Sequence, residues 1–292
     1  MGSWHPESPE RLAAINDHLI AVGILPHLQE IAAPPAAREA LARVHTDDYL
    51  DSLLASVPEH GYVSLDPDTS MNPNTYEAAL RAAGAVVEAT DRVARGELAN
   101  AFCAVRPPGH HARPHGAMGF CFLNNIAVGV RHALAVHALE RVAVVDFDVH
   151  HGNGTEEMLA GDEQVLMASF FQHPFYPYSG TQHPAANMVN VPLPAGTKGD
   201  VARKVVDEIW LPRLEAFKPQ MVFISAGFDA HREDDLGQMA LVEADYAYIT
   251  ERLMDLAQRH AGGRVVSSLE GGYNLSALGR SVAAHVRTLA QL

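Results

Sequence analysis

The residues with the most chemistry in this chain are the two carboxylates and two imidazoles that close an apolar run. Val142-Ala143-Val144-Val145-Asp146-Phe147-Asp148-Val149-His150-His151-Gly152-Asn153-Gly154 begins β-branched and ends in charge. Its first half reads as a buried strand of a parallel sheet, apolar on both faces. Side chains alternate along a strand, which puts Asp146, Asp148 and His150 on one face and His151 on the other. Such groups are costly to bury at the end of a central strand unless something pairs with them, and a divalent cation would do so. Asp148 and His150, joined by Asp229 from another strand end, offer one nitrogen and two carboxylates. Three protein ligands with an open position is the pattern of catalytic zinc, and two carboxylates leave room for iron or cobalt. Asp146 stands too close to Asp148 to share one ion comfortably, so an orienting role behind it fits better.

Three more groups belong with these. The tandem His110-His111 follows Pro107-Pro108-Gly109, and imidazole titrates near neutrality, as general acid/base work needs. Asp146 or Asn153 could fix their tautomers. Tyr273 lies in Glu270-Gly271-Gly272-Tyr273-Asn274, where its hydroxyl could stabilise a developing oxyanion. No serine elbow, phosphate loop or dinucleotide fingerprint is present in the sequence. The chemistry indicated is metal-activated water attacking a carbonyl. No second cluster of metal ligands is visible, which speaks against a two-manganese hydrolase.

The elements that must hold these groups follow from periodicity. Apolar residues at Leu12, Ile15, Leu19 and Val22 predict a helix, with Ser8 and Pro9 as its N-cap and first residue. Another helix is expected within Ala40–Leu54, a polar loop over Gly61–Thr75 and a long alanine-rich helix over Thr75–Arg95. From there strands alternate with helices. Strands are expected at Ala101–Val105, Val142–Val149, Val165–Phe170, Met221–Ser225 and Val265–Leu269. Helices are expected at Asn124–His137, from Thr155 to Leu159, at Val201–Phe217, at Glu243–His260 and at Leu275–Leu289. An aromatic, proline-rich loop fills the stretch to about Ala186. The alternation predicts an α/β fold with a central parallel sheet flanked by helices and right-handed crossovers. No repeat or linker divides the chain, so residues 1–292 read as a single domain. Ligands in such sheets sit outside the carboxyl ends of the strands. His110, His111, Asp146, Asp148, His150, Asp229 and Tyr273 all belong to strand ends, so topology alone brings them to one edge.

Composition limits the alternatives. The 292 residues are 48% hydrophobic and 19% charged, enough for a sizeable core. The net charge of −14 argues against nucleic-acid binding, which needs basic patches. Seventeen histidines invite a search for metal ligands. Cys103 and Cys121 sit in apolar contexts without a Cys-x-x-Cys and read as buried thiols of a reducing compartment. The N-terminal residues carry no signal-peptide pattern, and no apolar run is long enough to span a membrane. A cytoplasmic protein is expected, and a homo-oligomer is compatible with it.

Taken together, the motifs are recognisable. Arg106-Pro-Pro-Gly-His-His-Ala112, Gly119-Phe-Cys-Phe-Leu-Asn-Asn125, Asp146-Phe-Asp-Val-His-His-Gly-Asn-Gly154, Ala226-Gly-Phe-Asp229 and Glu270-Gly-Gly-Tyr-Asn274 run in order along most of the chain. It resembles the zinc-dependent histone deacetylase family, in the bacterial class II-like branch that includes acetylpolyamine amidohydrolases. The resemblance implies the arginase/deacetylase α/β fold and one Zn2+ on Asp148, His150 and Asp229. It implies His111 as general base, His110 as the partner that helps protonate the leaving amine, and Tyr273 as the hydroxyl that polarises the carbonyl. Asp146 matches the orienting partner of His110, and Asn153 occupies the corresponding place beside His111.

The substrate implied is an acylated lysine or a small acylated amine. Gly119 and Phe120, with Tyr176, match the tunnel that grips its chain. Two facing rings suit a slim methylene chain, burying it without hydrogen bonds. Asp68 matches a rim carboxylate, and Arg11 an arginine near an internal acetate channel. The resemblance further implies a structural K+ held by backbone around Asp146, Asp148, His150, Ser169 and Phe170. Two departures stand out. A first short strand that family members carry ahead of the His5-Pro6-Glu7 segment is not matched. Leu236 stands where polyamine-specific relatives have glutamate, so strict polyamine specificity is not expected, although Glu233, Asp234 and Asp235 lie close by.

Overall fold

The computed structural model describes residues 1–2 and 4–292. In chain order the elements are α1 (Glu10–Ala21), α2 (Arg38–Leu41), α3 (Asp47–Ala55), β1 (Val63–Asp66), β2 (Thr69–Met71), α4 (Thr75–Ala94), β3 (Asn100–Cys103), α5 (Asn125–Val136) and β4 (Val142–Asp146). They continue with α6 (Asn153–Leu159), β5 (Val165–Gln172), β6 (Met188–Leu193), α7 (Gly199–Val205), α8 (Leu211–Phe217), β7 (Met221–Ala226), α9 (Glu243–His260), β8 (Val265–Leu269) and α10 (Leu275–Leu289).

Among the described residues six strands form one parallel sheet, in the order β3-β8-β7-β4-β5-β6. The β-branched run of β4 lies at its centre and is buried throughout. Alternation divides its side chains between two cores. Val142 and Val144 pack with Val86 and Val93 of α4 and Ile126 and Val130 of α5. Ala143 and Val145 pack with Ile15 of α1, Leu253 of α9 and Val282 of α10. Each such valine, fully buried, contributes roughly 1.5–3 kcal/mol. A third cluster, around Tyr49, Leu50, Met71 and Phe122, anchors the segments that cross the carboxyl edge.

Several elements differ from expectation. Glu10, not Pro9, is the first residue of α1, and Ser8 supplies no cap. The stretch 40–54 is two helices, because Thr46 starts a new one by accepting from the Tyr49 N–H at 3.3 Å. The polar stretch 61–75 contains an antiparallel hairpin, with Val63 opposite Met71 and Ser64 opposite Ser70. The segment 201–217 is interrupted by a π-helical turn at Val206–Trp210, just before Pro212. A proline lacks the N–H that would continue the ladder, which accounts for a shift of register there. The proline-rich loop is followed by β6, whose Pro192 is tolerated because this strand is an edge. β4 ends at Asp146 rather than Val149.

Cys103 and Cys121 are free and buried. Among the described residues no helix is long and apolar enough to cross a membrane.

Candidate metal centre and active site

Where β4 ends, the chain turns on its own carboxylates. The Asp148 N–H donates to Asp146 Oδ1 at 3.1 Å, and the His150 N–H donates to Asp148 Oδ1 at 2.9 Å. These local turns, rather than continued strand alternation, direct Asp148 and His150. Asp146 is in register with Ser169 of β5 and Ser225 of β7, in the middle of the sheet.

Asp148, His150 and Asp229 do come together. His150 Nδ1 is 3.1 Å from Asp148 Oδ1 and 3.1 Å from Asp229 Oδ2. The remaining carboxylate oxygens are held by backbone. Gly271 N–H donates to Asp148 Oδ2 at 2.9 Å, and Val149 N–H donates to Asp229 Oδ1 at 3.0 Å. Both aspartates are fully buried. Burial lifts the Asp229 carboxyl to about 7, and the charge of Asp148 adds to the lift. Burial works against Asp148 too, yet His110 and His150 hold its carboxyl well below the usual range. Two buried carboxylates and one imidazole nitrogen on a common point fit a divalent cation, which would offset their mutual repulsion. Gly271 has to be glycine here, since a Cβ would strike Oδ2 of Asp229.

The tandem histidines lie beside this cluster with different partners. His110 Nδ1 is 3.0 Å from Asp146 Oδ2, and its Nε2 is 3.8 Å from Asp148 Oδ2. Burial opposes charge on His110, but Asp148 and Asp146 outweigh it and raise its pKa to about 10. His111 Nδ1 is 2.8 Å from Asn153 Oδ1. Burial, then the charges of His110 and His150, push its pKa well below the ordinary value. The amide oxygen of Asn153 accepts the Nδ1–H, which leaves the Nε2 lone pair of His111 free. Their surroundings thus favour charge on His110 and disfavour it on His111.

Tyr273 is half-buried, with its ring edge-on to Phe120 at 5.8 Å between centroids. The Arg11 guanidinium lies over that ring, 4.9 Å from its centre. Arg11 is wholly buried; its Nε donates to Gly272 O at 2.7 Å, and it also reaches Glu270 O. Burial raises the Tyr273 hydroxyl well above 10, with Asp229 and Asp148 adding to the rise and Arg11 opposing it. The hydroxyl is thus a proton donor throughout the neutral range.

Of the expected tunnel residues, Gly119 and Tyr176 lie against His111, and Phe120 lies against Tyr273. Gly119 is held at φ 56 against the His111 ring, leaving no room for a Cβ. Phe120 follows at φ 67, an uncommon conformation for a bulky residue. Tyr176 meets His111 edge-on at 5.3 Å. Phe175, which the sequence reading did not single out, stacks on His150 at 5.4 Å.

Asp68 sits in the β1–β2 turn, its carboxylate directed inward. It accepts from the Gly119 N–H at 3.2 Å, and burial raises its pKa to about 6. Leu236 is half-buried, and its N–H donates to Asp234 Oδ1 at 3.0 Å. His151 pairs with Glu156 at 2.7 Å and packs on Phe171, away from the cluster.

Two residues had no assigned role in the sequence reading. Glu270 is buried and accepts from Gly109 N–H at 2.6 Å and His110 N–H at 3.0 Å, fixing the start of the histidine pair. A carboxylate directly after the buried strand β8 was its visible signal. Asp234 accepts from Tyr273 N–H at 2.6 Å and Asn274 N–H at 2.9 Å. It lies in the run Glu233-Asp234-Asp235, where nothing separates a buried carboxylate from its solvated neighbours. A separate apolar cavity of about 460 Å3, lined by Leu12, Leu28, Phe102 and Val286, contains none of these groups.

Residues 5–289 match the family model described as the histone deacetylase domain. The chain is 42% identical over 277 residues to a histone deacetylase-like amidohydrolase of Pseudomonas aeruginosa, covering 92% of this chain and 73% of that one. It is 39% identical over 279 residues to a probable deacetylase of Archaeoglobus fulgidus, covering 93% and 77%. Among solved structures, the HD domain of HDA15 superposes with a TM-score of 0.92 at 36% identity, covering 100% of this chain and 85% of that chain.

Proposed function

The chain belongs to the histone deacetylase family and is an amide-bond hydrolase of the deacetylase type; on that premise we propose that it removes acyl groups from lysine-like amines with zinc on Asp148, His150 and Asp229. The observation that carries this reading is His111, its Nδ1 engaged by Asn153 Oδ1 at 2.8 Å, next to the buried carboxylate–imidazole cluster of Asp148, His150 and Asp229. Zinc there would supply a Lewis acid to polarise the acyl carbonyl.

The remaining steps fall to side chains. His111 Nε2 takes a proton from the attacking water, and the water oxygen bonds to the acyl carbon. Tyr273 donates its hydroxyl proton in a hydrogen bond to the carbonyl oxygen as negative charge builds there. Asp146 stabilises the charged form of His110 and keeps its Nδ1–H directed away from the substrate. The C–N bond then breaks, the amine leaves with a proton from the histidine pair, and the acyl group departs as a carboxylate.

Phe120 and Tyr176 are proposed to bury the methylene chain of the substrate, with Gly119 allowing close approach. Asp68 acts on the rim by pinning the Gly119–Phe120 turn. Half-buried Leu236 offers no charge to a second ammonium, which favours acyl-lysine over acylpolyamine. A structural K+ around Asp146, Asp148, His150, Ser169 and Phe170 belongs to the same reading. The net charge of −14 supports a substrate other than nucleic acid, and the two free thiols support a cytoplasmic location.

The test is a panel of acetyl-lysine peptide, longer acyl-lysines and acetylputrescine on the zinc-loaded protein. Chelator-sensitive turnover is expected, with the highest kcat/KM on an acyl-lysine. Acetylputrescine as the best substrate would overturn the substrate assignment. Acyl-lysine binding without turnover by zinc-loaded protein would make the chain a binding module instead.

A further inference from the structure

Outside the active site, three potential metal ligands meet where α4 packs beside α5. Asp91 Oδ1 is 2.7 Å from His132 Nε2 and 2.6 Å from His137 Nε2. The two rings are 5.7 Å apart and inclined at 69°. All three donor atoms lie within 4.8 Å of one another. The side chains are only partly covered, at 24%, 11% and 16% exposure for Asp91, His132 and His137. The sequence reading saw no second ligand cluster, because 41 residues separate Asp91 from His132.

Neither helix carries a residue of the proposed reaction, so the triad has no part in it. Two imidazole nitrogens and one carboxylate oxygen are a donor set suited to transition-metal ions, and partial exposure leaves open positions for water. We propose that Asp91, His132 and His137 form a second divalent-metal site, taking Zn2+ and cross-linking α4 to the end of α5. Without the ion, both Nε2 atoms direct their protons at the single Asp91 oxygen. With the ion, those protons are displaced. Arg43, exposed, approaches His132 Nδ1 at 3.4 Å. When Nε2 binds the ion, Nδ1 carries the proton and Arg43 turns to solvent.

The experiment counts metal. The full chain, stripped and dialysed against Zn2+, is expected to retain two equivalents. His137→Ala retains one and keeps its amidase activity. His150→Ala also retains one but loses activity. Asp91→Asn preserves the hydrogen-bonding shape and still loses the second equivalent, which separates lost ligation from misfolding. Zn2+ should raise the Tm of His150→Ala and leave that of His150→Ala/His137→Ala unmoved. A single equivalent in the unaltered protein, or two in His137→Ala, would overturn the site. An inactive protein that holds two equivalents would overturn the proposed function and leave this inference standing.

Discussion

Asp146 Oδ2 stands 3.0 Å from Nδ1 of His110, and both side chains are almost completely buried. The corresponding partner of His111 is the uncharged amide of Asn153. The two imidazoles thus have a charged and an uncharged partner, although they are adjacent in sequence and their rings are only 4.1 Å apart. Their surroundings set them apart: Asp148 and Asp146 favour charge on His110, whereas burial and the charges of His110 and His150 disfavour it on His111.

Replacing Asp146 by Asn tests that division. The amide keeps the shape but withdraws one of the two charges, Asp146 and Asp148, that favour a protonated His110. We expect kcat to fall by roughly 10²–10⁴, the range for disabling an acid/base partner, with zinc content unchanged. Turnover within threefold of the unaltered enzyme would remove Asp146 from the mechanism.

Tyr273→Phe deletes one hydroxyl from a ring already held by Phe120 and Arg11. The loss of a single donor to a developing oxyanion should cost about 10²–10³ in kcat. The Tm and metal content should not move, because the hydroxyl makes no hydrogen bond within the described protein. Undiminished kcat would sink the oxyanion role.

Asp234 ties the loop of Asp229 to the turn of Tyr273 through three backbone N–H groups. Asp234→Ala strands these donors, at about 1–3 kcal/mol of stability. Because Tyr273 is then less well placed, kcat should fall more than KM rises. Asp234→Asn, which retains one acceptor oxygen, should recover part of both losses. A drop in stability with kcat intact would show that Asp234 serves the fold alone.

Two buried histidines make stability fall in mild acid. His45 donates from Nδ1 to Arg113 O at 3.0 Å and accepts the Asn124 N–H on Nε2 at 3.0 Å. His285 lies between Thr250 and Ser267. Burial lowers their pKa values to about 4 and about 3, from the ordinary 6.5. Below 6.5 the unfolded chain therefore binds protons that the folded one refuses. Stability is full above 6.5 and falls as pH drops toward 4 for His45 and toward 3 for His285, by up to about 1.4 kcal/mol per pH unit for each. Urea denaturation at pH 7 and pH 5 should show the fall, with a shallower slope in His45→Gln. An identical slope in that variant would exclude His45 as a source.

Much of this was legible along the chain. The β-branched run of β4, the paired histidines after a Pro-Pro-Gly entry and the carboxylates at strand ends announced a parallel sheet with candidate metal ligands gathered at its carboxyl edge. Residue type and spacing suffice there, because parallel topology gathers strand ends whatever the loops do. The hairpin at 63–71 and the edge strand at 188–193 were not legible. Short strands draw their stability from their partners, which local pattern does not contain.

By itself, then, the sequence determined which residues could bind an ion and on which edge they would meet. Tertiary structure alone decided that the two adjacent histidines differ, since His110 meets Asp146 and Asp148 while His111 meets Asn153, from 36, 38 and 42 residues away. It also decided that Glu270 and Asp234 are buried acceptors rather than solvated acids, and that Asp91 meets His132 of α5 and His137 just beyond its end. The reason is common to all three. A carboxylate's role is set by the donors and charges within a few ångströms of it, and those come from segments remote in the chain.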